Sequence, residues 1–265
     1  MKFALVDGNK AEATKGAKGI CPLCKSDLIA KCGAVVVHHW AHKGQRKCDP
    51  WWENETDWHR LWKNNYPKEW QEFTLYDEIT GEKHIADVRT SHELVIEFQQ
   101  SYIDPKERTT RENFYNHMVW VVDGTRLERD YPRFLKATGG FKETEKQGYY
   151  SVYYPDECFP KSWLGSSVPV VFDFLGTDSI NATNDLKNNL YCLLPQKYKR
   201  EAIVVFLSRE SFISGTINSE WFRRKPEPHN QSEKLPAEHT IVSRHREPTH
   251  YYDPRKERFV RKRRL

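Results

Sequence analysis

The chain has 265 residues, 38% apolar and 30% charged, with a formal net charge of +5. No apolar run approaches the ~20 residues needed to cross a bilayer, so a helical membrane protein is excluded and one large or two small globular domains are expected. The last twelve residues carry seven Lys/Arg against one Glu, which leaves the other 253 at −1; attraction to phosphate must come from that tail or from local patches.

The opening MKFALVDGNK has one basic residue ahead of a short, broken apolar stretch. A signal peptide is therefore not expected, and a cytoplasmic setting is. Residues 1–52 are rich in Cys and His, with FALVDG and AVVVHHW reading as short strands. NETDWHRLWKNNYP reads as a helix: Trp58, Leu61 and Trp62 recur at helical spacing and Pro67 ends it. EFTLYDE, HIADVR and LVIEFQQ follow as three antiparallel strands. Asp104-Pro105 opens a second helix, DPKERTTRENFYNH, and MVWVVDG is a fully apolar fourth strand. Helix, three strands, helix, strand is the order of an α/β core built on a mixed sheet.

Beyond residue 125 the pattern weakens. TGGFKETEKQG reads as a loop, SVPVVFDFLG and REAIVVFLS as strands, and NATNDLKNNLYCLL as a weak helix. From 219 onward the chain is polar and Pro-punctuated, the composition of a loosely ordered segment ending in a basic tail. The expected divisions are 1–52, 53–125, 126–218 and 219–265.

Two clusters carry chemistry. Cys21 and Cys24 flank a tight turn, and His39 and His42 follow in the pattern C-x2-C-x14-H-x2-H. Two pairs of soft or borderline ligands suit tetrahedral zinc in a reducing compartment. The short spacing between the histidines points to a structural knuckle rather than a DNA-reading finger. His38 is an alternative to His39, and Cys32 and Cys48 are spare candidates.

The second cluster lies in the hairpin HIADVRTSHELVIEFQQS. Side chains alternate across a strand, so Leu94, Ile96 and Phe98 share a buried face while Val95, Glu97 and Gln99 share the other. Ala86 and Val88 are expected on the core side and Asp87 opposite them. With the chain reversing near Ser91, Asp87 comes beside Glu97, ~5 Å away across the strands. Two carboxylates that close need a cation between them or a shared proton. Mg²⁺ or Mn²⁺ would suit, and an ion so held can bind a phosphodiester oxygen and activate water. Glu55 and His59, one helical turn apart, would add a ligand and a base or supporting group, and Lys63 extends the stripe. Arg108 and Arg111 on the next helix are candidate phosphate contacts.

Several of these segments together resemble the competence protein CoiA-like family, a branch of the PD-(D/E)XK nuclease superfamily. They are CPLC at 21–24, HHWAH at 38–42, ETDWH with Lys63, ADVR at 86–89, IEFQQS at 96–101, Arg108 with Tyr115, and VWVVDG at 119–124. The resemblance implies a restriction-endonuclease-like mixed sheet flanked by helices, an N-terminal zinc knuckle and a C-terminal extension. It implies a Mg/Mn-dependent deoxyribonuclease in which Glu55 is the helix acid, Asp87 the strand acid and Glu97 the second metal-binding acid. Gln99 falls where most of the superfamily has Lys; it can orient water or a phosphate oxygen but cannot neutralise charge. The roles implied are DNA processing in competence or recombination, or phage defence, with DNA as partner and a regulatory protein or second copy docking on 126–218. A module that holds single-stranded or branched DNA without cutting it is the rival reading, and Gln99 is the residue that keeps it open.

Overall fold

A computed structural model describes residues 1–44, 48–78, 80–180, 185–195, 201–221, 250–253 and 258–261. Among them, no helix is long and apolar enough to cross a membrane. The N-terminal region forms an antiparallel sheet of β1 (Phe3–Val6), β2 (Asn9–Glu12), β3 (Lys18–Ile20), β4 (Asp27–Lys31) and β5 (His39–His42), in the order β2-β1-β3-β4-β5. Its far edge curls back on its start, where the Trp40 N–H donates to the Met1 carbonyl at 2.9 Å, giving a half-barrel. Ala4, Leu23, Leu28 and Trp40 fill it. Gly19 is required beneath the indole: a Cβ there would stand 2.7 Å from the Ala4 Cβ and 3.2 Å from the Trp40 ring. The strand expected over AVVVHHW begins only at His39, and Val35 ahead of it is 96% exposed.

The rest of this unit is a nine-stranded mixed sheet. Its strands are β6 (Gln71–Tyr76), β7 (Lys83–Arg89), β8 (Val95–Gln99), β9 (Met118–Asp123), β10 (Lys142–Glu143), β11 (Tyr149–Tyr153), β12 (Val170–Asp173), β13 (Asn189–Leu193) and β14 (Glu201–Ser208). They run β10-β11-β14-β13-β12-β9-β8-β7-β6, with β8, β9 and β12 parallel at the centre. The strands from 126–218 therefore continue the sheet of 53–125. Helices α1 (Asp57–Lys63), α2 (Pro105–Tyr115), α3 (Asp130–Thr138), α4 (Asp185–Asn188) and α5 (Arg209–Ile217) accompany them. A second compact unit, 226–265, contains the hairpin β15 (His250–Asp253) and β16 (Arg258–Arg261); the rest of the expected loose segment and basic tail lies outside the described residues.

Each face of the sheet has its own core. Leu94, Ile96 and Phe98 pack with Trp58 and Trp62 of α1 and Phe212 of α5, as alternation predicts. Val95, Trp120 and Val122 pack on the other face with Tyr115 of α2 and Phe134 of α3. Thr56 caps α1, and Asp104 with Pro105 starts α2. Trp58 and Trp62 both donate their indole N–H to Oδ2 of the buried Asp173, at 2.9 and 3.0 Å, which pins α1 to the end of β12.

Three expectations are corrected here. NATNDLKNNLYCLL is not one helix: among its described residues a single turn, α4, gives way to β13, because Leu190 and Cys192 alternate into one core and Tyr191 and Leu193 into the other. TGGFKETEKQG holds the short edge strand β10, while α3 and α5 carry no expectation from the sequence. Ala86 and Val88 are both buried but enter different cores, Val88 with Ile96 and Ala86 with Val95. β7 keeps its alternate burial and its register with β6 across Asp87, where it leaves β8. β7 pairs with β6 from Lys83 to Val88, but with β8 only at Val88–Ile96 and Arg89–Val95.

Candidate metal centre and acidic cavity

The turn between β3 and β4 is tight: the Cys21 N–H donates to the Ser26 carbonyl, the Lys25 N–H to that of Cys21, and Lys25 adopts φ +61°. It aims Cys21 and Cys24 at the end of β5, where His42 and then Cys48 complete the group. One ligand atom from each lies within 4.8 Å of the others. Cys24 Sγ is 3.3 Å from His42 Nε2, and Cys21 Sγ is 3.6 Å from Cys48 Sγ. Tetrahedral zinc with Zn–S bonds of about 2.3 Å needs S–S edges of roughly 3.8 Å, so the donor set and its spacing suggest a structural zinc. The thiols fit a cation as well. Burial pushes Cys21 up and, with the neighbouring Cys21 sulfur, Cys48 too. Burial works against Cys24 also, but hydrogen bonds from Ser26 and His42 hold its thiol down at about 6.

The ligand set differs from the expected one at one position. His39 lies outside the cluster, its Nδ1 2.9 Å from the Val37 carbonyl oxygen, and Cys48 takes its place. The reason is strand geometry: residues three apart on β5 face opposite ways, so His39 and His42 cannot both turn inward. His38 and Cys32 are outside the cluster too.

Asp49, the residue after Cys48, ties this centre to the large sheet. Its Oδ1 lies 2.9 Å from His84 Nδ1, and its Oδ2 accepts from the Ile85 N–H at 2.9 Å. Both partners are on the part of β7 that has left β8. The gap so opened is a cavity of about 420 Å³ between half-barrel and sheet.

Asp87 and Glu97 stand where the two strands part, and their side chains replace the missing ladder. The Asp87 N–H donates to Glu97 Oε1, and the Phe98 N–H to Asp87 Oδ2, each at 3.0 Å. The stretch before α1 and the helix itself supply Glu55 and Lys63. Lys63 is buried with its ammonium 3.0 Å from Glu55 Oε2, 3.0 Å from Asp87 Oδ1 and 3.3 Å from Glu72 Oε1. Glu72 sits at φ +46°, a backbone conformation costly for a side-chain-bearing residue. The distortion lets its carboxylate also accept from the Lys2 and Phe3 N–H groups, at 2.5 and 2.8 Å.

These charges are not balanced. Burial opposes ionisation of Lys63, but Asp87, Glu55 and Glu72 hold its ammonium well above the ordinary range. Burial likewise opposes ionisation of Glu55, and Lys63 reverses it, keeping this carboxyl low. Glu97 has no such partner: burial and the Asp87 charge push its carboxyl up to about 8, against Arg111, whose Nη1 is 3.6 Å away. Glu55 Oε1 is buried without a hydrogen bond. Six acids, Asp49, Glu53, Glu55, Glu72, Asp87 and Glu97, line the cavity with Lys63 and Arg111.

Other expected site residues are placed differently. His59 lines the cavity as a supporting group: Nδ1 is 2.8 Å from Thr56 Oγ1, and Nε2 is 3.2 Å from the Phe98 carbonyl oxygen and 3.4 Å from Glu53 Oε2, so it fastens α1 to β8 and to one of the cavity acids. Gln99 turns its amide to Ser101 and is not among the residues lining the cavity. Arg108 is buried between Glu112 and the Trp163 carbonyl, away from the cavity, so it makes no phosphate contact. Lys63 is a buried counter-charge to the acids rather than a cation at the mouth, whereas Arg111 does reach the cavity. Sequence reasoning missed Asp49, Glu53 and Glu72. Nothing local marks them, because each is also held by a partner at least 35 residues away: Asp49 by His84, Glu53 by Gln100 and Glu72 by Lys2.

Residues 6–50 match the family model of the N-terminal domain of competence protein CoiA. The match takes in most of the half-barrel and all four residues of the Cys3His group, and it ends before the acids of the large sheet. No curated protein and no solved structure matches this chain.

Proposed function

We propose that the chain is a divalent-cation-dependent nuclease that hydrolyses phosphodiester bonds in DNA, with the acidic cavity as its active site. The observation that carries this reading is the exchange between Asp87 and Glu97 at the parting of β7 and β8, with Glu55 beside them offering a buried oxygen that has no hydrogen bond. Among the described residues the pocket sets six acids against Lys63, Arg111 and the Met1 ammonium, an excess that disfavours a phosphodiester until positive charge is added. Asp87, Glu97 and Glu55 offer the oxygen donors that a hard cation such as Mg²⁺ or Mn²⁺ takes; their ligand atoms are not gathered as those of the Cys3His group are, so binding the ion would require them to close on it and Lys63 to give way. When bound, that ion supplies Lewis-acid polarisation of the phosphate and lowers the pKa of water.

The chain's own residues do the rest. Lys63 keeps the Glu55 carboxyl low and draws Glu55 and Asp87 toward one point, its own ammonium. It also brings to these acids, from α1, the positive charge that Gln99 does not provide from the strand. Arg111, on α2 with its Nη1 3.6 Å from Glu97, also lines the cavity and suits a phosphate oxygen. His59 and Thr56 fix the helix that carries Lys63. Water attacks phosphorus, one P–O ester bond breaks, and the strand parts into a hydroxyl and a phosphate end. The match of residues 6–50 to a competence-protein domain supports DNA as the polymer, in DNA processing.

One observation favours a second reading, a module that binds DNA without cutting it: Lys63 already neutralises part of the charge of Asp87 and Glu55. Incubation with plasmid, linear duplex, single-stranded DNA and RNA in Mg²⁺, Mn²⁺ or EDTA separates the two. Metal-dependent cleavage is expected from the parent chain, with a loss of at least a hundredfold in Asp87→Asn and in Glu97→Gln while both variants stay folded. Cleavage of no substrate in either metal supports the binding module, and cleavage by the variants at the parent rate sinks the assignment of the acids.

A further inference from the structure

Resting on that reading of the cavity, we infer that its substrate is a single nucleic-acid strand, one nucleotide of which enters the cavity while a neighbouring base stacks on Trp52 at the rim. The first support is enclosure. The acids do not lie on an open face: the side chains of Glu55, Glu72 and Glu97 are 4%, 4% and 7% exposed, and that of Asp87 is 21% exposed. The end of the half-barrel and the stretch from Cys48 to Asn54 form the opposite wall. A paired, stacked helix, held stiff by its pairing, does not lead its backbone down to acids buried this deeply. A single strand can, because its backbone turns freely and its bases are unstacked.

The second support is the aromatic placement. Trp51 is committed, stacked on His84 at 3.2 Å with Arg111 over its ring. Trp40 is buried in the half-barrel, and Trp58 and Trp62 are tied to Asp173. Trp52 differs from all of these. It lines the same cavity, is 44% exposed, and its ring and indole N–H have no partner among the described residues. A large apolar ring at the mouth of an anionic pocket has a use that the acids do not: every base offers it a face, whatever the sequence.

The test is binding and cutting measured apart. With the full chain in Ca²⁺, fluorescence anisotropy is recorded on a labelled single-stranded DNA, a single-stranded RNA and the matching DNA duplex. At least one single strand is expected to bind ten times or more tighter than the duplex, and the two single-stranded arms say which sugar is preferred. Trp52→Ala should weaken single-strand binding about tenfold. Trp52→Phe should restore most of it, and Tyr153→Ala, an exposed aromatic outside the cavity, should change nothing. Duplex bound as well as either single strand, or Trp52→Ala binding like the parent, overturns the inference. In Mg²⁺ or Mn²⁺ the same substrates test the underlying reading independently. Single-strand binding that needs Trp52 but never leads to cleavage keeps the inference and removes the nuclease. Cleavage of continuous duplex at the single-strand rate does the reverse.

Discussion

The half-barrel and the large sheet reach a stable fold by different routes. Seven buried residues, among them one of the clustered cysteines, make up the core of the half-barrel. Among the described residues thirty-three fill the two cores of the sheet, with pairs such as Trp120–Trp163 and Tyr191–Phe206 packed edge to face. A region with so small a core needs a cross-link, and Cys21, Cys24, His42 and Cys48 provide the ligands for one. The sheet has burial to spare, and it spends some of it on an acidic pocket that opposes folding. The two regions meet at Asp49, next to the last cysteine and bonded to the strand that opens the pocket.

Metal removal should separate the two regions most sharply. Purified protein is expected to hold one zinc per chain by plasma emission, and Cys48→Ser to lose it while His39→Ala retains it. In Cys48→Ser, or after chelation, hydrogen exchange should lose protection across 1–42 and keep it across 94–122. Uniform loss across both stretches would mean that the regions do not fold as separately as their cores suggest.

Lys63→Met comes next. It leaves Glu55, Glu72 and Asp87 buried without their shared cation, a change that typically costs about 3–5 kcal/mol. Urea denaturation followed by Trp fluorescence would measure it. A cost below about 1 kcal/mol would mean that water solvates these acids after all.

The smallest effect is a pH dependence. A Glu carboxyl ordinarily titrates near 4.3, and Glu97 near 8, so folding takes up a proton between those values. Its contribution to stability is full below about pH 4.3 and is lost as pH rises through 8. Glu97→Gln keeps an acceptor for the Asp87 N–H without the charge. Its stability relative to the parent should climb from about pH 5 to 8, by at most about 1.4 kcal/mol per pH unit, and then level off. A difference that stays flat over this range would show that Glu97 ionises normally in the fold.

Much of this was legible in the residues, and what was not has physical causes. Alternation in LVIEFQQ sorted its faces correctly, and Asp104 with Pro105 opened α2, whereas α1 ends at Lys63, short of Pro67, which starts the 3-10 turn Lys68–Trp70. The same rule applied to HHWAH would have separated His39 from His42 and brought Cys48 forward. Asp87 and Glu97 were adjacent by register, but the departure of β7 from β8 was not visible, because it is held by Asp49, 35 residues upstream of His84. Gln99 was expected to leave the acids without a strand cation; the charge beside them comes from Lys63, which the helical stripe of Glu55 and His59 had pointed to, on a helix pinned to Asp173. Local patterns specify elements, and these long-range polar contacts specify where elements bend or converge.

The parallel pairing of β9 with β12 bears on how the protein can be cut into pieces. Met118–Asp123 is buried throughout because Val170–Asp173 covers its outer side. A fragment ending at residue 125 would present MVWVVD as a bare, uncharged edge through most of its length, a template for intermolecular strand addition. Such a fragment should precipitate where one continuing through Ile217 stays in solution, so the acids of the cavity cannot be studied in isolation from residues nearly a hundred positions downstream.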